Sequence, residues 1–136
     1  MSSTEPRFLS IEDVLQIHDD TIGIEGGLPG VRDMGLLQSA LMMPQQQFGG
    51  DYLHEGFAAK AAAYLYHLAA NHPFLDGNKR TATLCALLFL RGNGTTTLPA
   101  PADLEHVTWA IADGSMSKPE LTVWFAVQLG EITPPV

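Results

Sequence analysis

His72-Pro73-Phe74-Leu75-Asp76-Gly77-Asn78-Lys79-Arg80-Thr81 separates two helical runs, and the rest of the chain is read outward from it. Before it stands an Ala-rich segment, and after it Ala82 to Leu90 is almost entirely apolar. His72 is the side chain best suited to taking a proton near neutral pH. Asp76 offers a hard oxygen ligand of the kind Mg²⁺ shares with phosphates. Gly77 lets backbone approach a ligand, and Asn78, Lys79 and Arg80 open the next helix, where unpaired N–H groups and the positive end of the macrodipole favour an anion. Taken singly these residues have plainer uses: a helix stop before proline, an Asp-Gly turn, a solvated first turn. Together they read as phosphoryl or nucleotidyl transfer to a hydroxyl, because cations in a first helical turn oppose the dipole and call for a compensating anion.

The same residues resemble the Fic-domain signature HPFx(D/E)GNGRxxR, departing from it at Lys79, where the signature has Gly, and at Thr83, where it has a second Arg. Both departures match the death-on-curing (Doc) branch of the superfamily, toxins of type II toxin–antitoxin modules, and the likeness extends from about Phe8 to Trp124. The resemblance implies an all-α helical bundle around a central buried helix. His72 would be the catalytic base, Asp76 the Mg²⁺ ligand, and Gly77, Asn78, Lys79 and Arg80 the ATP-phosphate site. Phe74 would anchor the loop, and Gly26, Gly27, Leu28, Pro29 and Gly30 would form a flap that aligns a target polypeptide. Lys79 would fill the α-phosphate hole, so that ATP binds reversed and presents its γ-phosphate. The implied product is a phosphorylated Ser or Thr on a protein, the implied target is translation elongation factor Tu, and the implied partner is an antitoxin whose C-terminal segment docks near the ATP site. No inhibitory S-x-x-x-E-G/N motif occurs in the chain, in keeping with inhibition in trans. Two alternatives remain at this level: a protein AMP transferase of the wider Fic family, and a non-enzymatic module that holds an anion or peptide.

Composition bounds the remainder. With 136 residues, 46% of them hydrophobic, residues 1–136 are expected to form one domain with its core over about 8–130. A formal charge of −8 argues against nucleic-acid binding, yet two of only seven Lys and Arg residues are the adjacent Lys79 and Arg80. No apolar run is long enough for a membrane span and no signal-peptide core precedes the first helix, so a cytoplasmic protein is expected. Cys85 is the single cysteine, which excludes an internal disulfide framework or a Cys-based zinc site, and its place in the apolar run after the motif reads as a buried structural thiol. P-loop, zincin and Gly-x-Ser-x-Gly patterns are absent.

Along the chain, Ser10 is expected to cap a first helix that ends near Thr21, before a Gly23–Gly30 loop. Asp33 caps a second helix ended by Pro44, followed by a polar, Gly-rich connection. Glu55–Asn71, Asn78–Arg91, Asp103–Ala112 and Pro119–Leu129 are further helices, the one from Asn78 being the central one. Thr95–Leu98 has the pattern of a short strand. His18 reads as ordinary surface and His67 as structural, while Trp109, Trp124 and Phe125 read as core anchors.

Overall fold

The computed structural model describes residues 5–134. Its elements are α1 (Ile11–Glu25), α2 (Met34–Met42), a 3₁₀ turn (Met43–Gln45), a hairpin of β1 (Gln47–Phe48) and β2 (Asp51–Tyr52), α3 (Gly56–Asn71), α4 (Asn78–Gly92), α5 (Pro101–Asp113) and α6 (Lys118–Gln128). The fold is all-α apart from the hairpin.

α1 starts at a reciprocal cap: Asp13 N–H donates to Ser10 Oγ at 3.1 Å and Ser10 N–H donates to Asp13 Oδ2 at 2.9 Å. The helix passes through Gly23 and ends at Glu25, four residues beyond the expected stop at Thr21. One glycine costs a helix only about 1 kcal/mol. The true terminator is Gly26, whose φ of 81° only glycine adopts without strain.

α3 is the most enclosed helix, and the expectation that α4 is central is corrected. Ala58, Ala61, Ala62, Ala63 and Ala69 let neighbours approach closely, and Tyr64, Leu65 and Leu68 fill the remaining space. α4, α6, α2 and α5 all pack against α3. α4 buries Ala82, Cys85, Ala86, Phe89 and Leu90 but leaves Leu88 exposed and Leu84 and Leu87 half-buried, because these three leucines fall outside the buried stripe of the helix.

Three other expectations are corrected. The connection after Pro44 contains the β1–β2 hairpin, turned by Gly49 and Gly50 at φ 60° and 89°. Thr95–Leu98 forms no strand, since Pro99 and Pro101 follow at once and no partner strand is available among the described residues. Of the three aromatic anchors, Phe125 is buried, but Trp124 is half-buried and Trp109 is exposed. No helix among the described residues is long and apolar enough to cross a membrane.

Candidate active site

The turn between α3 and α4 begins with a strained residue. His72 ends α3 in the left-handed region at φ 49°, ψ 57°, alone among the described non-glycine residues in having positive φ. Such a conformation costs on the order of 1–3 kcal/mol and persists only where surrounding contacts over-determine it. Arg32 supplies those contacts, its Nε donating to His72 O at 2.7 Å and its Nη2 to Asn71 O at 2.9 Å. The Arg32 and Asp33 N–H groups both donate to Pro73 O, at 2.7 and 3.1 Å. The strained backbone leaves the His72 side chain exposed at the cleft.

Phe74 turns inward and is 1% exposed. Asn78 holds it from both sides, accepting from Phe74 N–H at 2.9 Å through Oδ1 and donating to Phe74 O at 3.0 Å through Nδ2. The Asn78 amide thus closes the turn on itself, and Asn78 also lines the cleft. On its other side Phe74 meets His18 of α1, ring on ring at 3.8 Å and 7°. His18 is only 1% exposed, which corrects its reading as surface. Its Nε2 lies 2.8 Å from Asp76 O, and since a carbonyl only accepts, that nitrogen carries the proton.

Asp76 is exposed and tied to the glycine segment. Leu28 N–H donates to its Oδ2 at 2.7 Å, Leu75 N–H donates to Gly30 O at 3.2 Å, and Val31 bridges Phe74 in antiparallel sense. Gly26 to Gly30 therefore runs beside the turn as an extended, exposed strap. Gly27 has to be glycine here, as it sits at φ 115° and a Cβ would lie 3.1 Å from Asp76 Cβ.

Gly77, at φ 78°, opens α4 without a side-chain cap and with no acidic residue in the first turn. Two cations follow and diverge. Arg80 forks onto Glu25 at the end of α1, Nε to Oε2 at 2.8 Å and Nη2 to Oε1 at 3.2 Å. Lys79 sends its ammonium over the Trp109 ring of α5, 4.1 Å from the centroid. Thr83 meets Thr108 of α5 hydroxyl to hydroxyl at 2.9 Å. His72, Asp76, Gly77, Asn78, Lys79 and Arg80 line a single cleft of about 750 Å³, a usual size for a small-molecule site.

The donor set suits a shared cation better than a caged one. No group of three or more His, Cys, Asp or Glu side chains that could hold a metal occurs among the described residues. Of the two carboxylates at the α4 mouth, Glu25 is paired with Arg80, which leaves Asp76 as the one that would hold Mg²⁺, an ion that completes its shell with water and phosphate oxygens.

Four residues of this site escape a reading of the motif alone: His18, Glu25, Arg32 and Trp109. For His18 a signal existed, because Val14, His18 and Thr21 are the buried positions of α1 and follow one another at helical spacing. Arg32 and Glu25 act across long sequence separations and leave no local pattern.

The chain is 37% identical over 111 residues to the protein kinase Doc of Escherichia phage P1, covering 82% of this chain and 86% of that protein. It is 44% identical over 100 residues to the toxin Doc of Mycolicibacterium smegmatis, 74% of each chain. Residues 8–90, from just before α1 into the last turn of α4, match the Fic/DOC family, and the chain belongs to that family.

Proposed function

We propose that this protein is a Doc-type toxin that transfers the γ-phosphate of ATP to a Ser or Thr hydroxyl of a protein, with translation elongation factor Tu as the expected target. The observation that carries the reading is the convergence of His72, Asp76 and the two cations of the α4 N-terminus on one cleft. The printed names of the two relatives, a protein kinase and a toxin, support it.

His72 accepts the proton of the attacking hydroxyl as its oxygen bonds to the γ-phosphorus, and the bond from that phosphorus to the bridging oxygen breaks to release ADP. The first-turn N–H groups of α4, with Lys79 and Arg80, stabilise the charge gathered on the transferred group. Asp76 would hold Mg²⁺, which when bound neutralises phosphate charge. The Gly26–Gly30 strap, already hydrogen-bonded to the turn, is the edge against which a target segment aligns. A cognate antitoxin is the expected partner, its C-terminal segment covering this mouth, and the cytoplasm, where translation occurs, is the expected place of action.

Intact mass spectrometry of elongation factor Tu after incubation with the protein, ATP and Mg²⁺ tests the reading. A gain of about 80 Da that His72→Ala abolishes is expected. A gain of AMP, or an equal gain with His72→Ala, overturns it.

A further inference from the structure

α6 begins against α3 with a lysine in the place a helix least favours one. Ser117 caps α6, its Oγ accepting from Glu120 N–H at 3.2 Å while Glu120 Oε1 accepts from Ser117 N–H at 2.9 Å. Lys118 is therefore the first helical residue, where the positive end of the dipole opposes an ammonium, and the nearest acid on its own helix is committed to the cap. The Lys118 side chain turns to α3 instead. Its Nζ lies 2.9 Å from His67 Nε2 and 6.0 Å from the Tyr66 ring centroid, and the Tyr66 and His67 rings meet edge to face at 5.1 Å. An ammonium only donates, so Nε2 accepts and His67 is a neutral imidazole with its proton on Nδ1. Among the described residues the partners of this amine are an imidazole and a phenol ring, and no carboxylate is paired with it. Neither Lys118 nor His67 lines the active-site cleft.

The chain has three lysines, and the other two are held differently. Lys60 is 3% exposed, donates to His54 O at 2.6 Å and lies over the Tyr52 ring. Lys79 is half-buried over the Trp109 ring in the cleft. Lys118 alone is both half-open to solvent and hydrogen-bonded to a ring nitrogen. We infer that Lys118 is a modification site, a nucleophilic amine that takes a small acyl group from an activated anionic donor, either an acyl phosphate or the thioester of a phosphorylated carrier. Burial lowers the Lys118 pKa and so favours the free amine that attacks. Its nitrogen bonds to the acyl carbon, the bond from that carbon to the phosphate oxygen or the thioester sulfur breaks, and phosphate or thiol leaves. The proton shed by the amine passes to His67 Nε2 and on to water. Burial first, then Lys118 and then His54 lower the His67 pKa to about 4, so the ring becomes a better base as the ammonium charge disappears. Lys118 and Lys60 both act on His54, so two ammoniums share this corner of an acidic chain and draw an anionic donor to it. The product amide keeps one N–H for Nε2 but carries no charge.

The test treats the full chain, without ATP, with acetyl phosphate in one arm and acetyl-coenzyme A in another, and follows acetylation of the three lysines by peptide mass mapping over time. Lys118 is expected to react severalfold faster than Lys79, with Lys60 left unmodified. Reaction in one arm only assigns the donor class and supports the inference. His67→Gln, which keeps a hydrogen-bond acceptor but no base, should slow Lys118 severalfold and leave the Lys79 rate unchanged. Because a variant can fail to fold, the acetylated protein of unaltered sequence gives a second readout. By NMR titration its His67 pKa should climb from about 4 part of the way toward 6.5, since burial still holds it down. Equal rates for Lys118 and Lys79, no acetylation of Lys118 in either arm, a Lys118 rate indifferent to His67→Gln, or a His67 pKa unmoved by acetylation would each overturn the inference.

Discussion

Replacing His18 separates two jobs that one buried ring performs. His18→Ala removes the stack on Phe74 and the donor to Asp76 O, and it opens a void beside Gly77, where an added Cβ would lie 3.6 Å from His18 Cδ2. Deleting a large buried ring costs about 3–5 kcal/mol and the smaller imidazole somewhat less. The hydrogen bond adds about 1 kcal/mol, and its loss is softened because Asp76 is exposed and water can replace the donor. His18→Ala should therefore lower stability by roughly 3–4 kcal/mol, a large part of the 5–15 kcal/mol typical of a domain. His18→Phe keeps an aromatic ring on Phe74 and loses only the N–H, so its cost should be near 1 kcal/mol. Urea unfolding followed by circular dichroism measures both, with an unchanged m-value expected for each. At equal folded fraction, His18→Phe should still reduce transfer severalfold, since the Asp76 carbonyl is no longer tethered. Equal losses of stability for the two variants, or a loss below about 1 kcal/mol for His18→Ala, would refute the division of roles.

Thr81 carries a buried hydroxyl with no hydrogen-bond partner, so Thr81→Val, nearly the same shape, should leave stability unchanged or raise it by about 1 kcal/mol in thermal unfolding. Gly27→Ala forces a Cβ to within 3.1 Å of Asp76 Cβ at a left-handed φ of 115°. It should displace the strap and cut transfer by about tenfold or more while shifting the melting temperature little, because the strap is exposed. Burial, and then the Lys118 ammonium 2.9 Å from Nε2, lower the His67 pKa from 6.5 to about 4. The unfolded chain binds this proton at higher pH than the fold does, so stability is full above 6.5 and falls as pH drops through the window from 6.5 to 4. With solvent screening allowed for, the loss is roughly 1–2 kcal/mol, and His67→Gln should flatten that part of the stability curve in denaturant titrations at stepped pH.

The residues of the turn could be read from the sequence because they are contiguous and each has a local physical reason for its place. Helices α2 to α6 are equally legible from Asp33, Pro44, the Ala-rich run, the apolar run Ala82 to Leu90 and apolar spacing further on, which mark helix ends or set periodicity. What local pattern cannot carry is a long-range partner. Arg32 is forty residues from the His72 carbonyl it holds, and nothing around Val31 or Asp33 marks it as a clamp. His18 was misread because a polar side chain on an apolar face was weighed by type and not by its register with Val14 and Thr21. Gly23 and Gly26 look alike in sequence, yet only Gly26 takes a positive φ and ends α1, a difference that rests on the turn of chain leaving toward Leu28 and Asp76. Trp109 invites assignment to the core by its size, and its exposure follows from facing the cleft rather than α3.

The most direct test of the central claim follows isotopic label from ATP. With elongation factor Tu as acceptor, the account predicts that label at the γ-phosphorus appears on a Ser or Thr of the target with stoichiometric ADP, that label at the α-phosphorus does not, and that His72→Ala and Asp76→Ala each stop the transfer. Label passing from the α-phosphorus with release of pyrophosphate, or an undiminished γ-transfer by His72→Ala, would contradict it.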